Sequence, residues 1–184
     1  MKPSQIMRCA LMRLVRVSLH NFRTIYFKLT QSVTNMSNNE SCLFCEIVRG
    51  EIQASVIFED KFTMAFMDIF PISKGHCLLI PKQHYVNMLD VDVKIAKRLG
   101  ARLVELNRKV HSAFEPDGII NVIANGVGAG QEVPHLHIHV IPRNKGDRFG
   151  FMFPDDYREE MAPRDELDGV AETIRASTDL LGSK

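Results

Sequence analysis

Acidic side chains are missing from the first 39 residues of this 184-residue chain, which hold six Lys or Arg and no Asp or Glu. The remainder carries 17 basic against 22 acidic residues, so the formal net charge of +1 conceals a basic segment ahead of a mildly acidic body. A body of that sign offers no electrostatic footprint for nucleic acid. Long apolar runs are also missing. Arg8, Arg13, Arg16 and Arg23 interrupt the apolar residues of the basic segment, and no run approaches the roughly 20 apolar residues of a membrane helix. Cysteine is scarce: Cys9, Cys42, Cys45 and Cys77 are too few to staple a chain of this size. A Cys-x-x-Cys pair suits a reducing compartment, which makes the cytoplasm the expected location. Neither an internal repeat nor a linker to a second domain is present.

What is there is ordinary globular composition, 45% hydrophobic and 24% charged, enough for one domain with a core. Residues 1–39 are expected to form a basic extension outside the fold, open to two readings. Residues 1–35 have the composition of an organelle-targeting presequence, or the segment is an upstream extension that never packs on the domain. The folded domain is expected over 40–150, followed by a tail over 151–184.

Cys42-Leu43-Phe44-Cys45 leads into a short helical turn closed by Gly50. Residues 55–58 and 62–68 read as a hairpin across Glu59-Asp60-Lys61, and residues 76–80 as a buried strand ended by Pro81. Ile95, Leu99, Leu103, Leu106, Val110 and Phe114 fall at spacings of four, four, three, four and four, the apolar stripe of one long helix. Residues 119–125 resume as a strand. In the tail, Phe149, Phe151 and Phe153 are candidate anchors, and a last helix is expected from about Arg164 to Ser177.

The most informative stretch is Pro134-His135-Leu136-His137-Ile138-His139-Val140-Ile141-Pro142. In a strand, side chains alternate, so three imidazoles share one face and the apolar residues share the other. A solvated polar face would explain one histidine better than three. A three-histidine metal site is disfavoured because three same-face side chains spread about 13 Å along a strand. Nucleophilic catalysis gives each ring work: a neutral imidazole attacks phosphorus, while its neighbours supply hydrogen bonds and protons.

Gly126, Gly128 and Gly130 follow a strand but precede another strand, so they are not a dinucleotide fingerprint. A backbone nest for an anionic phosphate and a plain flexible turn both fit them. The Cys42/Cys45 pair lacks the βαβ setting of a redox motif; two buried thiols, or half of a zinc site completed by two histidines, remain. His20, His76 and His111 have no motif partner and read as structural or surface residues.

His135-Leu136-His137-Ile138-His139-Val140-Ile141 resembles the signature of the histidine triad (HIT) superfamily. The resemblance runs on through Cys42-Leu43-Phe44-Cys45, Phe66-Met67-Asp68, residues 75–82, Asn125 and residues 129–135, covering roughly residues 40–150. It implies an α+β fold, an antiparallel sheet with a long amphipathic helix, paired into a homodimer. The implied activity is hydrolysis or nucleotidyl transfer at the α-phosphorus of a nucleoside phosphoramidate. A dinucleoside polyphosphate hydrolase and a nucleotide-binding regulatory module with little turnover stand as alternatives.

By the same resemblance, His137 matches the residue that carries the nucleotidyl intermediate, with His139 and Gln131 as its catalytic partners. Phe66, Asp68, Ile69, Asn125, Gly130, Gln131 and His139 match the nucleotide-binding positions, Asp68 receiving the ribose hydroxyls; Asp also favours strand ends simply as a turn residue. Cys42, Cys45, His84 and His135 match a structural zinc set, with no metal in the chemistry. Two departures bear on the substrate. Glu132 stands where some phosphoramidase relatives have Ser, and the tail beyond Arg143 differs from their short aromatic-ended tails.

Overall fold

The computed structural model describes residues 42–150 and 161–177. Expectations for residues 1–39, and for Phe151 and Phe153, lie outside the described residues. Helix α1 (Leu43–Val48) precedes strands β1 (Val56–Glu59), β2 (Thr63–Met67) and β3 (Cys77–Pro81). Helix α2 (Val93–Phe114), β4 (Gly118–Val122), β5 (Ile138–Arg143) and helix α3 (Arg164–Ala176) follow. The five strands make one antiparallel sheet in the order β1-β2-β3-β5-β4. This is the α+β architecture expected.

Each strand of the central trio sends alternate residues to opposite faces, and two packed layers result. One face gives Ala65, Cys77, Leu79, Ile138 and Val140 to a core closed by Ile95, Leu99, Leu106 and Val110 of α2. The stripe read from the sequence is buried from Ile95 to Val110, with Leu103 partly buried beside it; Phe114, at its end against Gly75, is exposed. Asp92 caps α2, its carboxylate accepting from the Lys94 N–H at 2.6 Å. Glu115, in the left-handed region, ends it. The other face gives Met64, Phe66, Leu78 and Ile80 to a smaller core with Cys42, Phe44 and Cys45.

Asp60 holds the β1–β2 turn. One oxygen accepts from the N–H groups of Phe62 and Thr63, and the other pairs with Arg102 on α2. These bonds hold the Asp60 carboxyl well below the usual carboxylate range against the opposing effect of its burial.

Two boundaries around the motif strand differ from the sequence reading. β5 begins at Ile138, because the Leu136 N–H goes to the Tyr85 carbonyl at 2.6 Å and that of His135 to Val133, which takes this stretch out of the sheet ladder. The alternation of faces survives in it: Leu136 joins the α2 core while His135 and His137 meet Phe44 on the other side. β4 correspondingly ends at Val122, which pairs with His139, since little of β5 extends further for it to pair with. α3 matches its expected range, and its residues are exposed throughout. Among the described residues no helix is long and apolar enough to cross a membrane.

Candidate functional site

The sheet face opposite α2 collects every histidine of the strand motif. His139 pairs with Leu78 across β3 and β5, and His76, two residues before Leu78, falls on the same side. Asp68, just past β2, closes the group from the next strand. The rings of His137 and His139 meet edge to face with centroids 4.9 Å apart.

His137 is buried, and its Nδ1 donates to the backbone carbonyl of His135 at 2.7 Å. A neutral ring that donates from Nδ1 keeps its lone pair on Nε2. No hydrogen bond engages that Nε2 among the described residues, and no fully buried side-chain nitrogen or oxygen there lacks a partner. The Nε2 lone pair is therefore unengaged and not fully buried. Burial lowers the pKa of His137, keeping the ring neutral near pH 7. Burial, with His137 and His76 alongside, brings His139 down to about 4, Asp68 opposing.

Asp68 accepts from the Phe70 N–H at 2.8 Å, and its second oxygen lies 3.5 Å from His76 Nε2 and 3.9 Å from His139 Nδ1. Phe66 is buried beneath the site in the smaller core, while Ile69 is exposed beside it. Gln131 is also buried. Its amide oxygen accepts from the Gly126 N–H, and its nitrogen donates to the carbonyls of Val86 and Val133. That amide is committed to holding the glycine loop against the 84–90 segment, to which Asn125 is tied by accepting from the Met88 N–H.

Of the two readings of the loop, its own hydrogen bonds favour the turn over the backbone nest. The N–H groups of Gly126, Ala129, Gly130 and Gln131 are already bonded within the loop, leaving few amides for an anion. What Gly126 and Gly130 supply is positive φ, +92° and +88°, for a tight 3₁₀ turn over Val127–Ala129.

A second cluster sits beside the first. Ligand atoms of Cys42, Cys45, His84 and His135 all lie within 4.8 Å of one another. His135 Nδ1 is 3.4 Å from Cys42 Sγ and 3.5 Å from Cys45 Sγ, and His84 Nδ1 is 3.3 Å from Cys45 Sγ. Zinc bond lengths in a tetrahedron give ligand edges of roughly 3.3–3.8 Å. His135 Nε2 donates to the Pro81 carbonyl at 2.9 Å, which fixes the tautomer with Nδ1 free toward the thiols. Donor chemistry, spacing and tautomer all fit a closed four-ligand metal centre. Burial and the adjacent Cys42 push the Cys45 thiol up to about 12, so that a bound cation is what would make it a thiolate.

The family resemblance named all four ligands and the residues His137, His139 and Asp68, and the structure brings each set together. Sequence reasoning missed His76, read as structural or surface. The structure places that ring 1% exposed against His139 and Asp68. Its only sequence signal is parity with Leu78, which is silent until β3 is known to pair with β5.

A sheet with one long helix behind it, a row of imidazoles in front and a two-cysteine, two-histidine cluster at the row's start defines a class of small α+β proteins. The HIT domain model matches residues 49–146, and the chain belongs to that family. It is 40% identical over 125 residues to Protein hit of Bacillus subtilis, covering 66% of this chain and 86% of that protein. To adenosine 5'-monophosphoramidase hnt1 of Schizosaccharomyces pombe it is 39% identical over 103 residues, 56% of this chain and 74% of that one. Among solved structures, a HIT family protein from Bacillus anthracis matches with a TM-score of 0.70 at 33% identity, covering 78% of this chain and 99% of that one. A Zn-bound histidine triad family protein from Mycobacterium smegmatis matches with a TM-score of 0.58 at 31% identity, covering 76% and 100%.

Proposed function

We propose that this chain hydrolyses a nucleoside phosphoramidate or a related nucleotide at the α-phosphorus through a nucleotidyl group carried on His137. The observation that carries the reading is the His137 ring, neutral, locked by the His135 carbonyl and unengaged at Nε2. In the first step the Nε2 lone pair forms a bond to phosphorus. The bond to the leaving group breaks, and the departing amine takes that electron pair and a proton from water. The ring, now substituted at both nitrogens, is cationic, and its Nδ1–H remains bonded to the His135 carbonyl.

In the second step a water oxygen bonds to phosphorus and the P–N pair returns to Nε2. The water's proton leaves to solvent, releasing a nucleoside monophosphate. His139 contacts the phosphoryl oxygens in both steps. Asp68 receives the ribose hydroxyls, an ionised carboxylate accepting two donors at once, and Phe66 and Ile69 flank the base. Similarity to a protein named as an adenosine 5'-monophosphoramidase supports this choice of substrate over a dinucleoside polyphosphate.

Zinc is the metal assigned to Cys42, Cys45, His84 and His135, and likeness to a Zn-bound family member supports it. Bound there, it would be a structural cross-link between the N-terminal turn and the motif strand. A homodimer is part of the same reading, β4 being a sheet edge that a second copy can cover.

Trapping tests the chemistry. Brief reaction with adenosine 5'-phosphoramidate, quenched and digested, should add a nucleotidyl mass to the peptide holding His137. Full turnover by His137→Ala would end the proposal. A parallel assay with a diadenosine polyphosphate separates the two substrate classes, and no turnover of either leaves the regulatory module.

A further inference from the structure

Asp68, His76 and His139 form a cluster outside the four-ligand centre, close enough together to hold a cation. The hydrogen bonds argue for a different use. The Ile72 N–H donates to His76 Nδ1 at 3.1 Å. An imidazole that accepts at Nδ1 must carry its hydrogen on Nε2, so no lone pair remains there for a metal. His135 is the opposite case, donating from Nε2 to a carbonyl and leaving Nδ1 for a ligand bond.

The hydrogen on His76 Nε2 has one near acceptor, His139 Nδ1, at 2.9 Å, with the Asp68 carboxylate 3.5 Å away on the same side. A neutral His139 that accepts at Nδ1 must in turn hold its own hydrogen on Nε2. The backbone amide of Ile72 thus sets the form of His76, and His76 sets the form of His139.

We infer that His76 is a positioning residue which holds His139 as the Nε2–H tautomer, making His139 a fixed hydrogen-bond donor toward the phosphoryl oxygens rather than a base. A hydrogen on Nδ1 of His139 would face the hydrogen on His76 Nε2 across 2.9 Å, and one of the two bonds would be lost. The 1% exposure of His76 leaves no water to take over the role. Its register also fits: β3 opposite β5 puts His76 beside His139 whatever occupies the cleft. The kinetic consequence rests on the hydrolytic reading above, whereas the tautomer does not.

The test is long-range proton–nitrogen NMR of the uniformly 15N-labelled full-length chain at neutral pH, which reads the tautomer of each histidine directly. His139 in the wild-type chain is expected to be Nε2–H. In His76→Leu it should become a mixture, with kcat for adenosine 5'-phosphoramidate falling roughly 10- to 100-fold and KM within about twofold. His76→Gln places an amide N–H at the same reach and should restore both the tautomer and most of kcat. An Nδ1–H His139 in the wild-type chain, or an unchanged tautomer in His76→Leu, overturns the inference. If His76→Leu fails to fold, the wild-type tautomer and the His76→Gln spectrum decide it. A wild-type chain that turns over no nucleotide overturns the functional reading alone, and the tautomer still decides this one.

Discussion

His135 donates from Nε2 to the Pro81 carbonyl at 2.9 Å, and that single bond turns Nδ1 toward the sulfur atoms of Cys42 and Cys45. Two segments 90 residues or more apart in sequence are thereby arranged around one point. Metal analysis of the purified chain should find about one zinc per chain, and exhaustive chelation should lower the Tm by on the order of 10 °C. Cys45→Ser should reproduce that loss without chelator. A metal-free chain that melts at the same temperature would contradict the assignment.

Asp68 is expected to discriminate by the sugar. If its carboxylate receives the ribose hydroxyls, Asp68→Asn should raise KM for a ribonucleotide substrate about tenfold, the value of a hydrogen bond to a charged group. The matching 2',3'-dideoxy substrate should lose far less. Equal losses on both would assign Asp68 to the histidine pair alone.

Part of the pH dependence of stability follows from His139, whose pKa is near 4 in the folded chain against an ordinary 6.5, with the other buried histidines acting in the same direction. As pH falls below 6.5 the unfolded chain takes up this proton first, so stability is fully present above 6.5 and drains as pH falls toward 4. The limiting slope is about 1.4 kcal/mol per pH unit, and partial exposure of the ring reduces it. Denaturant unfolding at pH 7.5 and pH 5 should show a smaller loss in His139→Asn than in the wild type. Identical losses would place the proton elsewhere.

Packing gives two further expectations. Leu106 of α2 is fully buried between helix and sheet, and Leu106→Ala should cost about 2–5 kcal/mol in a denaturant titration. Gly75 has a φ of +91°, and a Cβ there would lie 2.6 Å from the Phe114 ring. Gly75→Ala should cost about 1–3 kcal/mol, of which Phe114→Ala relieves only the contact and leaves the backbone strain. Full recovery in the double variant would show that the backbone strain is negligible.

What the sequence determined by itself was local and periodic. The spacing from Ile95 to Val110 set the buried stripe of α2, and the alternation through His135, His137 and His139 put three rings on one side. Both follow from backbone repeats of 3.6 and 2 residues, which any chain of that pattern must obey. The family resemblance supplied the partners of Cys42 and Cys45, since nothing local ties them to His84 and His135. Only the tertiary structure decided the rest. That β5 starts at Ile138, that the glycine loop spends its own amides, and that His76 meets His139 all depend on which distant segments share hydrogen bonds. A hydrogen-bond donor has one proton to give, and where it goes is fixed by the register of β3 against β5, a long-range quantity that no window of sequence contains.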